Sequence, residues 1–296
     1  MISVQTTARF QVLTTGLKVV LILAFIVAGF IFFDSSIAQA NLPLGNFSTE
    51  ALSMPFAVGL AYVFFSYSGW NAATYFTDEI REAEKTVRLS LVFGVLIVAS
   101  LYILLNIVFM LSSPVEKLSG QLDVAHVAAQ HIFGAEGGQW MSLLISLALI
   151  SSISSLIVAG PRVAKVMGED FHVFKGVAKA NKKGTPVYAI LVQVSIAIVF
   201  LLSASYESVL VYTGFVLNIF NLLTVSGLFV GQGKKMFKSS RFIKICATVF
   251  LLIYGWATLY LFSAKPQESV LGLATVLVGL ITYYLVQKRP KHHAEE

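Results

Sequence analysis

The sequence predicts an all-α polytopic membrane protein, and three observations carry the prediction. First, 57% of the 296 residues are hydrophobic and 12% are charged, against roughly 25% charged in an ordinary soluble domain. Second, a mean hydropathy of +0.81 is sustained by eight apolar runs, at about 10–33, 55–77, 89–112, 139–161, 186–204, 208–231, 241–263 and 269–287. A helix needs roughly 20 such residues to cross the hydrocarbon core. Third, the charge between the runs alternates. Segments 78–88, 162–183 and 232–244 and the tail beyond 287 hold 17 of the 21 lysines and arginines. The intervening segments 34–54, 113–138, 205–207 and 264–268 contain only Lys117 and Lys265.

By the positive-inside rule this asymmetry predicts cytoplasmic termini in the cell membrane, with the lipid bilayer as surroundings. The net charge of +6 is therefore a topology signal, and nucleic acid is excluded as a partner. The single cysteine, Cys246, lies in an apolar run, so no disulfide framework is expected. No secretory signal is visible, because the first run is too long and lacks a small-residue cleavage site. There is no metal-ligand spacing, P-loop or nucleophile–histidine pair. An enzyme, a metal site and a cofactor are accordingly not expected.

The first run contains Lys18, the basic residue set well inside a span. A charge near the bilayer centre costs about 2.5–3.5 kcal/mol on insertion scales. Lys18 is either a functional group able to change protonation during a cycle or a lysine that snorkels to the cytoplasmic side. The second run has an unusual centre, Phe64-Phe65-Ser66-Tyr67-Ser68-Gly69-Trp70-Asn71. In hydrocarbon every backbone N–H and C=O needs a partner. This hydroxyl-rich stretch reads either as close packing through small residues or as a helix broken around a ligand. If broken, Gly69 permits the turn, a second half-helix starts near Asn71, and carbonyls near Phe65, Ser66 and Ser68 suit an ammonium group.

Beyond the third run, Val124–Phe133 has apolar residues at helical spacing and a Gly134 stop, predicting a short amphipathic helix on the outer face. Its His126 and His131 read as solvated positions. The fourth run holds the cluster Ser151-Ser152-Ile153-Ser154-Ser155. Its hydroxyls can bond across helices, ligate a cation, or receive the Lys18 ammonium. The run closes on Gly160-Pro161-Arg162, read as an interfacial exit with Arg162 and Glu169 or Asp170 available to pair.

These stretches together resemble the amino acid–polyamine–organocation (APC) superfamily of amino acid permeases, most of all bacterial permeases and L-type exchangers. Ala8-Arg9-Phe10-Gln11 through Lys18 resembles the fifth helix, and Phe64 to Asn71 with Glu79 the unwound sixth. Gly160-Pro161-Arg162-Val163 through Asp170 resembles the end of the eighth helix and Gly184-Thr185-Pro186 the start of the ninth. The resemblance implies a LeuT-like fold of two inverted five-helix repeats plus two helices. It implies amino acid transport or exchange without sodium, since Lys18 stands where sodium-coupled relatives hold sodium. It implies substrate binding at Phe65, Ser66, Ser68, Gly69 and Trp70, with Phe65 as a gating aromatic, and coupling at Lys18, Ser151 and Ser152.

On that pattern residue 1 falls just before the fifth helix, and the helix that binds the substrate carboxylate has no counterpart. The expectation is an incomplete LeuT-like fold with eight transmembrane helices, one discontinuous, forming a single truncated permease domain over 1–296. Within it, 1–34 matches the fifth helix, 55–231 the second inverted repeat and 241–287 the last two helices. The partner implied is a missing N-terminal half. The alternative is a non-transporting remnant acting as an assembly or sensory partner. The pattern's prolines after the sixth helix are absent from Glu82–Arg88, where a longer continuous helix is expected. Acid-free spans favour neutral amino acids.

Overall fold

The structure, a computed structural model, describes residues 4–41, 50–80, 82–181, 185–233 and 240–287, and these form helices and turns without strands. Glu79's side chain, Arg81, Lys182, Lys183, Gly184, Lys234, Lys235, Lys238, Lys288, Arg289 and Lys291 lie outside what is described. In order the helices are α1 (Val4–Ile31), α2 (Ser35–Asn41), α3 (Met54–Ser66), a 3₁₀ segment (Trp70–Glu79), α4 (Ala83–Ser112) and α5 (Val115–Leu118). There follow α6 (Val124–Phe133), α7 (Ala135–Asp170), a 3₁₀ turn (His172–Phe174), α8 (Lys175–Ala178), α9 (Val187–Ser203), α10 (Tyr206–Gly233), α11 (Arg241–Ala264) and α12 (Pro266–Gln287).

Six of these, α1, α4, α7, α10, α11 and α12, are long and apolar enough to cross a membrane. Two further apolar runs form shorter pieces. The run at 186–204 is the 17-residue α9. The run at 55–77 is divided into α3 and the 3₁₀ segment. The chain is multi-pass, and most large apolar side chains on its long helices are exposed, as surfaces facing lipid are.

Contacts divide the chain into two compact units. One comprises Met1–Gly45 with Trp70–Ala164, the other Asn46–Gly69 with Lys165–Glu296. In the first unit, Phe25 and Ile26 of α1, Leu101 and Val108 of α4, and Ala128 and Ala129 of α6 form the core. A Cβ on Gly29 would lie 2.2 Å from Val108 Cγ1, so only glycine allows this approach of α1 to α4. Asn41 closes the end of α4: its Nδ2 donates to the carbonyls of Met110 (2.7 Å) and Ser113 (2.8 Å), and its Oδ1 accepts from Val115 N–H (3.2 Å). Those carbonyls belong to the set that a helix end leaves without intrahelical partners. In the second unit, Ala61 of α3, Val211 and Phe215 of α10, and Leu261 of α11 form the core.

The outer helix α6 has the expected bounds. Asp123 caps it by accepting from His126 N–H, and Gly134 ends it at φ 79°. His126 is not the solvated position that the sequence suggested. Ser142 Oγ donates to Asp123 Oδ2 (3.1 Å). Its oxygen therefore accepts from His126 Nδ1 (2.8 Å), which leaves Nε2 to accept from Gln130 Nε2 (2.9 Å). The reason is local: Gly138 of α7 lies where a side chain would meet both His126 and Gln130.

The helix α7 runs through Pro161 and ends at Asp170, the stretch that resembles a helix end, and Glu169 pairs with Lys165 (3.6 Å). A proline removes one hydrogen bond, and the turns on either side carry this helix through it. Of Glu82–Arg88, where a longer continuous helix is expected, Ala83–Arg88 is helical and runs without a break into the span that follows. Glu82, at φ 49° and ψ 48°, stands in the left-handed region and separates this helix from the 3₁₀ segment.

Candidate functional site

In the second unit α3 ends at Ser66, inside the stretch that the sequence singled out. Ser53 caps its start, accepting from Phe56 N–H, and Pro55 occupies the first turn, where its missing N–H costs nothing. At the other end Tyr67 N–H donates to Val63 O (3.1 Å) and Ser68 N–H to Phe65 O (2.9 Å). The Phe65 carbonyl, expected to be open, thus closes a tight turn. Gly69 follows at φ 91°, a conformation that L side chains rarely adopt. Of the two readings left open by the sequence, the structure has the broken helix.

Phe65 faces Gly214 of α10, whose Cβ, if present, would lie 3.4 Å from the phenyl ring. The neighbouring Phe64 stacks on Tyr254 of α11, with ring centroids 4.0 Å apart and planes inclined by 13°. Tyr254 also stacks on Phe250 (4.5 Å), and its hydroxyl accepts from Asn221 Nδ2 of α10 (3.0 Å). The last turn of α3 is therefore seated on aromatic and small residues of two neighbours. Near its middle, Tyr62 donates to Glu207 (3.5 Å), which pairs with Lys265 (2.8 Å). That hydrogen bond, chiefly, holds the Lys265 ammonium above the ordinary lysine range.

Trp70 opens the 3₁₀ segment and belongs to the first unit. Side-chain bonds accompany the 3₁₀ winding. Thr74 Oγ1 donates to Asn71 O (2.6 Å) and Thr77 Oγ1 to Thr74 O (3.2 Å), both three residues back. In the α-helices hydroxyls mostly reach four back, as in Ser100 to Leu96 and Thr224 to Phe220, while Thr14 reaches both Phe10 O and Gln11 O. The expected half-helix after Asn71 is present, wound more tightly than an α-helix.

The coupling candidates lie in the first unit, where α1 meets α7. Lys18 Nζ donates to Ser152 Oγ (2.9 Å). Ser151, 2% exposed, has its Oγ 2.7 Å from Thr14 Oγ1. Ser155 Oγ donates to Gln11 Oε1 (2.8 Å), and Gln11 Nε2 donates to Ser151 O (3.5 Å). Sequence reasoning named Lys18, Ser151 and Ser152 but passed over Gln11 and Thr14. Their signal was legible: Gln11, Thr14 and Lys18 are spaced i, i+3, i+7 and share one helix face. Asn221 and Tyr254 were passed over as well, although Asn221 stands three residues after Asn218 and three before Thr224 on the same helix; Tyr254 had no such spacing to mark it. Among the described residues no group of three or more His, Cys, Asp or Glu could hold a metal ion.

Comparison with known proteins agrees with this architecture. The family model for amino acid permeases matches residues 1–285. The b(0,+)-type amino acid transporter 1 of Mus musculus is 26% identical over 301 residues, covering 96% of this chain and 59% of the mouse protein. The large neutral amino acids transporter small subunit 2 of Rattus norvegicus is 26% identical over 236 residues, covering 77% of this chain and 44% of the rat protein. The cystine/glutamate transporter of Homo sapiens is 24% identical over 298 residues, covering 98% of this chain and 58% of the human protein. The chain thus spans less than two thirds of the length of these relatives, which are transporters and not enzymes. With a family match over almost its whole length and a helix that unwinds at the expected residues, the chain belongs to the amino acid permease family.

Proposed function

We propose that this chain contributes to secondary transport or exchange of amino acids across the cell membrane, without sodium and with neutral amino acids as substrates. The observation that carries the reading is the break between α3 and the 3₁₀ segment at Ser66 to Gly69, in a chain of a permease family. The substrate ammonium is assigned to the carbonyls of Ser66 and Ser68, with Gly69 and Trp70 beside them and the Phe65 ring as gate. A helix end exposes carbonyls that a continuous helix would consume.

The architecture proposed is LeuT-like with eight transmembrane helices. The six long spans are joined by α9 and by a discontinuous span made of α3 and the 3₁₀ segment. At about 1.5 Å per residue the 17 residues of α9 reach about 25 Å, within the mismatch that a bilayer of about 30 Å accommodates. Both termini are assigned to the cytoplasm on the lysine and arginine asymmetry. The chain is treated as one permease domain whose binding site is completed by a further membrane portion that holds the substrate carboxylate.

Sodium independence rests on Lys18. Its ammonium, donating to Ser152, supplies a positive charge where a cation would otherwise stand, and a proton on Lys18 is the coupling species. The names of the relatives, which include large neutral amino acids and cystine/glutamate, support amino acids as the class. Acid-free span centres favour neutral ones.

The test is uptake of radiolabelled leucine into proteoliposomes holding the chain alone or with an added N-terminal portion, in sodium and in choline buffer. Uptake that needs the added portion and ignores sodium is expected. Sodium-dependent uptake would overturn the coupling assignment, and full uptake by the chain alone would remove the need for a partner portion. No uptake in either form would favour the second reading, a membrane remnant serving assembly or sensing.

A further inference from the structure

We propose that Gln11 and Thr14 are positioning residues that hold Lys18 against Ser152 by gripping Ser151 from two sides. The proposal deepens the coupling reading of Lys18 and is tested apart from it.

Hydroxyl protons decide the arrangement. Thr14 Oγ1 lies 2.8 Å from Phe10 O and 3.3 Å from Gln11 O, and its one proton goes to these carbonyls of its own helix. At the 2.7 Å contact Ser151 must then be the donor and Thr14 Oγ1 the acceptor. Ser155 Oγ lies 2.8 Å from Gln11 Oε1 and 3.2 Å from the Ser151 carbonyl; with its one proton on the nearer acceptor, the Gln11 amide is turned with its NH₂ toward that carbonyl at 3.5 Å. Ser151 is thus held at its hydroxyl by Thr14 and at its carbonyl by Gln11. Successive residues of an α-helix are turned by about 100°, so fixing Ser151 fixes the direction in which Ser152 points. Ser152 Oγ then meets Lys18 Nζ at 2.9 Å.

Apolar packing does not do this work near Lys18. No residue of α1 from 9 to 24 is buried, and among its described side chains the buried positions start at Phe25. Around Lys18 the two helices meet through these polar side chains. Lys18 itself has a long, freely rotating stem, and among the described residues its ammonium has the single hydrogen bond to Ser152. Released from it, the stem turns toward the water interface.

The experiment measures acetylation of each lysine by a membrane-permeant anhydride in proteoliposomes of the full chain, read by mass spectrometry with Lys85 and Lys117 as internal references. Thr14→Val and Gln11→Leu are each expected to raise Lys18 labelling several-fold, and Thr14→Ser is expected to restore the wild-type rate. Wild-type labelling in both Thr14→Val and Gln11→Leu, or a Thr14→Ser variant as reactive as Thr14→Val, overturns the proposal. Helicity measured on each variant separates loss of the clamp from loss of the fold, and the Gln11→Leu arm stands if Thr14→Val does not fold. The coupling reading is read separately, from the pH profile of uptake. A Lys18→Ala variant with an unaltered profile ends that reading while leaving the clamp standing. If both hold, Thr14→Val shifts the profile in wild type and not in the Lys18→Ala background.

Discussion

Single residues here act mostly through close approach and hydrogen-bond direction. Gly29 is an example: Val108, fully buried, occupies the space that any β-carbon would need. Gly29→Ala is expected to destabilise the first unit by about 1–3 kcal/mol, the range for overpacking, visible as a lower thermal midpoint in detergent. Charge acts at Lys265. Its bond to Glu207 raises its proton affinity above that of a free lysine. The stabilisation is therefore complete below the unfolded value of about 10.4 and is lost as pH rises through the higher folded value. The wild-type midpoint should fall in that alkaline window, and Lys265→Met should remove that part of the fall. At this scale the sequence was partly legible. Lys18 stood out because charge is rare in a span, and its spacing from Gln11 and Thr14 was there to read. His126 was not legible, because its partners Ser142 and Gly138 come from another helix and nothing in local spacing announces them.

Among elements, α6 was the most legible. An apolar 3.6-residue pattern closed by Gly134 fixed both ends, and Asp123 supplies the cap. Because Asp123 also receives the Ser142 hydroxyl, Asp123→Ala is expected to cost about 1 kcal/mol of helix stability. Faster hydrogen exchange confined to the amides of 124–133 would be the sign. The broken span was legible in place but not in kind. Gly69 and the hydroxyls marked the break, whereas the 3₁₀ winding, in which Thr74 and Thr77 bond three residues back, left no mark in composition. Gly69→Ala must hold an L residue at φ 91°, which costs roughly 1–3 kcal/mol. Lower uptake and a lower midpoint are expected together. Pro161 does not interrupt its helix, which runs on to Asp170.

For the whole molecule, alternation of charge carries the orientation and family membership carries the chemistry. The orientation is open to a direct check. In a Cys246→Ser background, Lys117→Cys and Lys265→Cys should react with an impermeant maleimide added outside intact cells. Lys85→Cys and Lys179→Cys should react only after permeabilisation. Reaction of all four from one side would invert or abolish the proposed topology. Division into two units had no visible sequence signal, since it follows from which helices share buried contacts. One of its boundaries, between Gly69 and Trp70, coincides with the residue whose backbone only glycine adopts freely.

The segment that follows that boundary has a mechanical side. Its ten residues advance about 2.0 Å each as a 3₁₀ helix, against about 1.5 Å in an α-helix. Rewinding them would draw the two ends together by about 5 Å while keeping nearly the same number of backbone hydrogen bonds. The length of Trp70–Glu79 is therefore set by its bonding register, and the Thr74 and Thr77 hydroxyls bond in the register of the longer form. Removing both hydroxyls, as in Thr74→Val with Thr77→Val, should shorten the distance between spin labels at its ends by several ångströms.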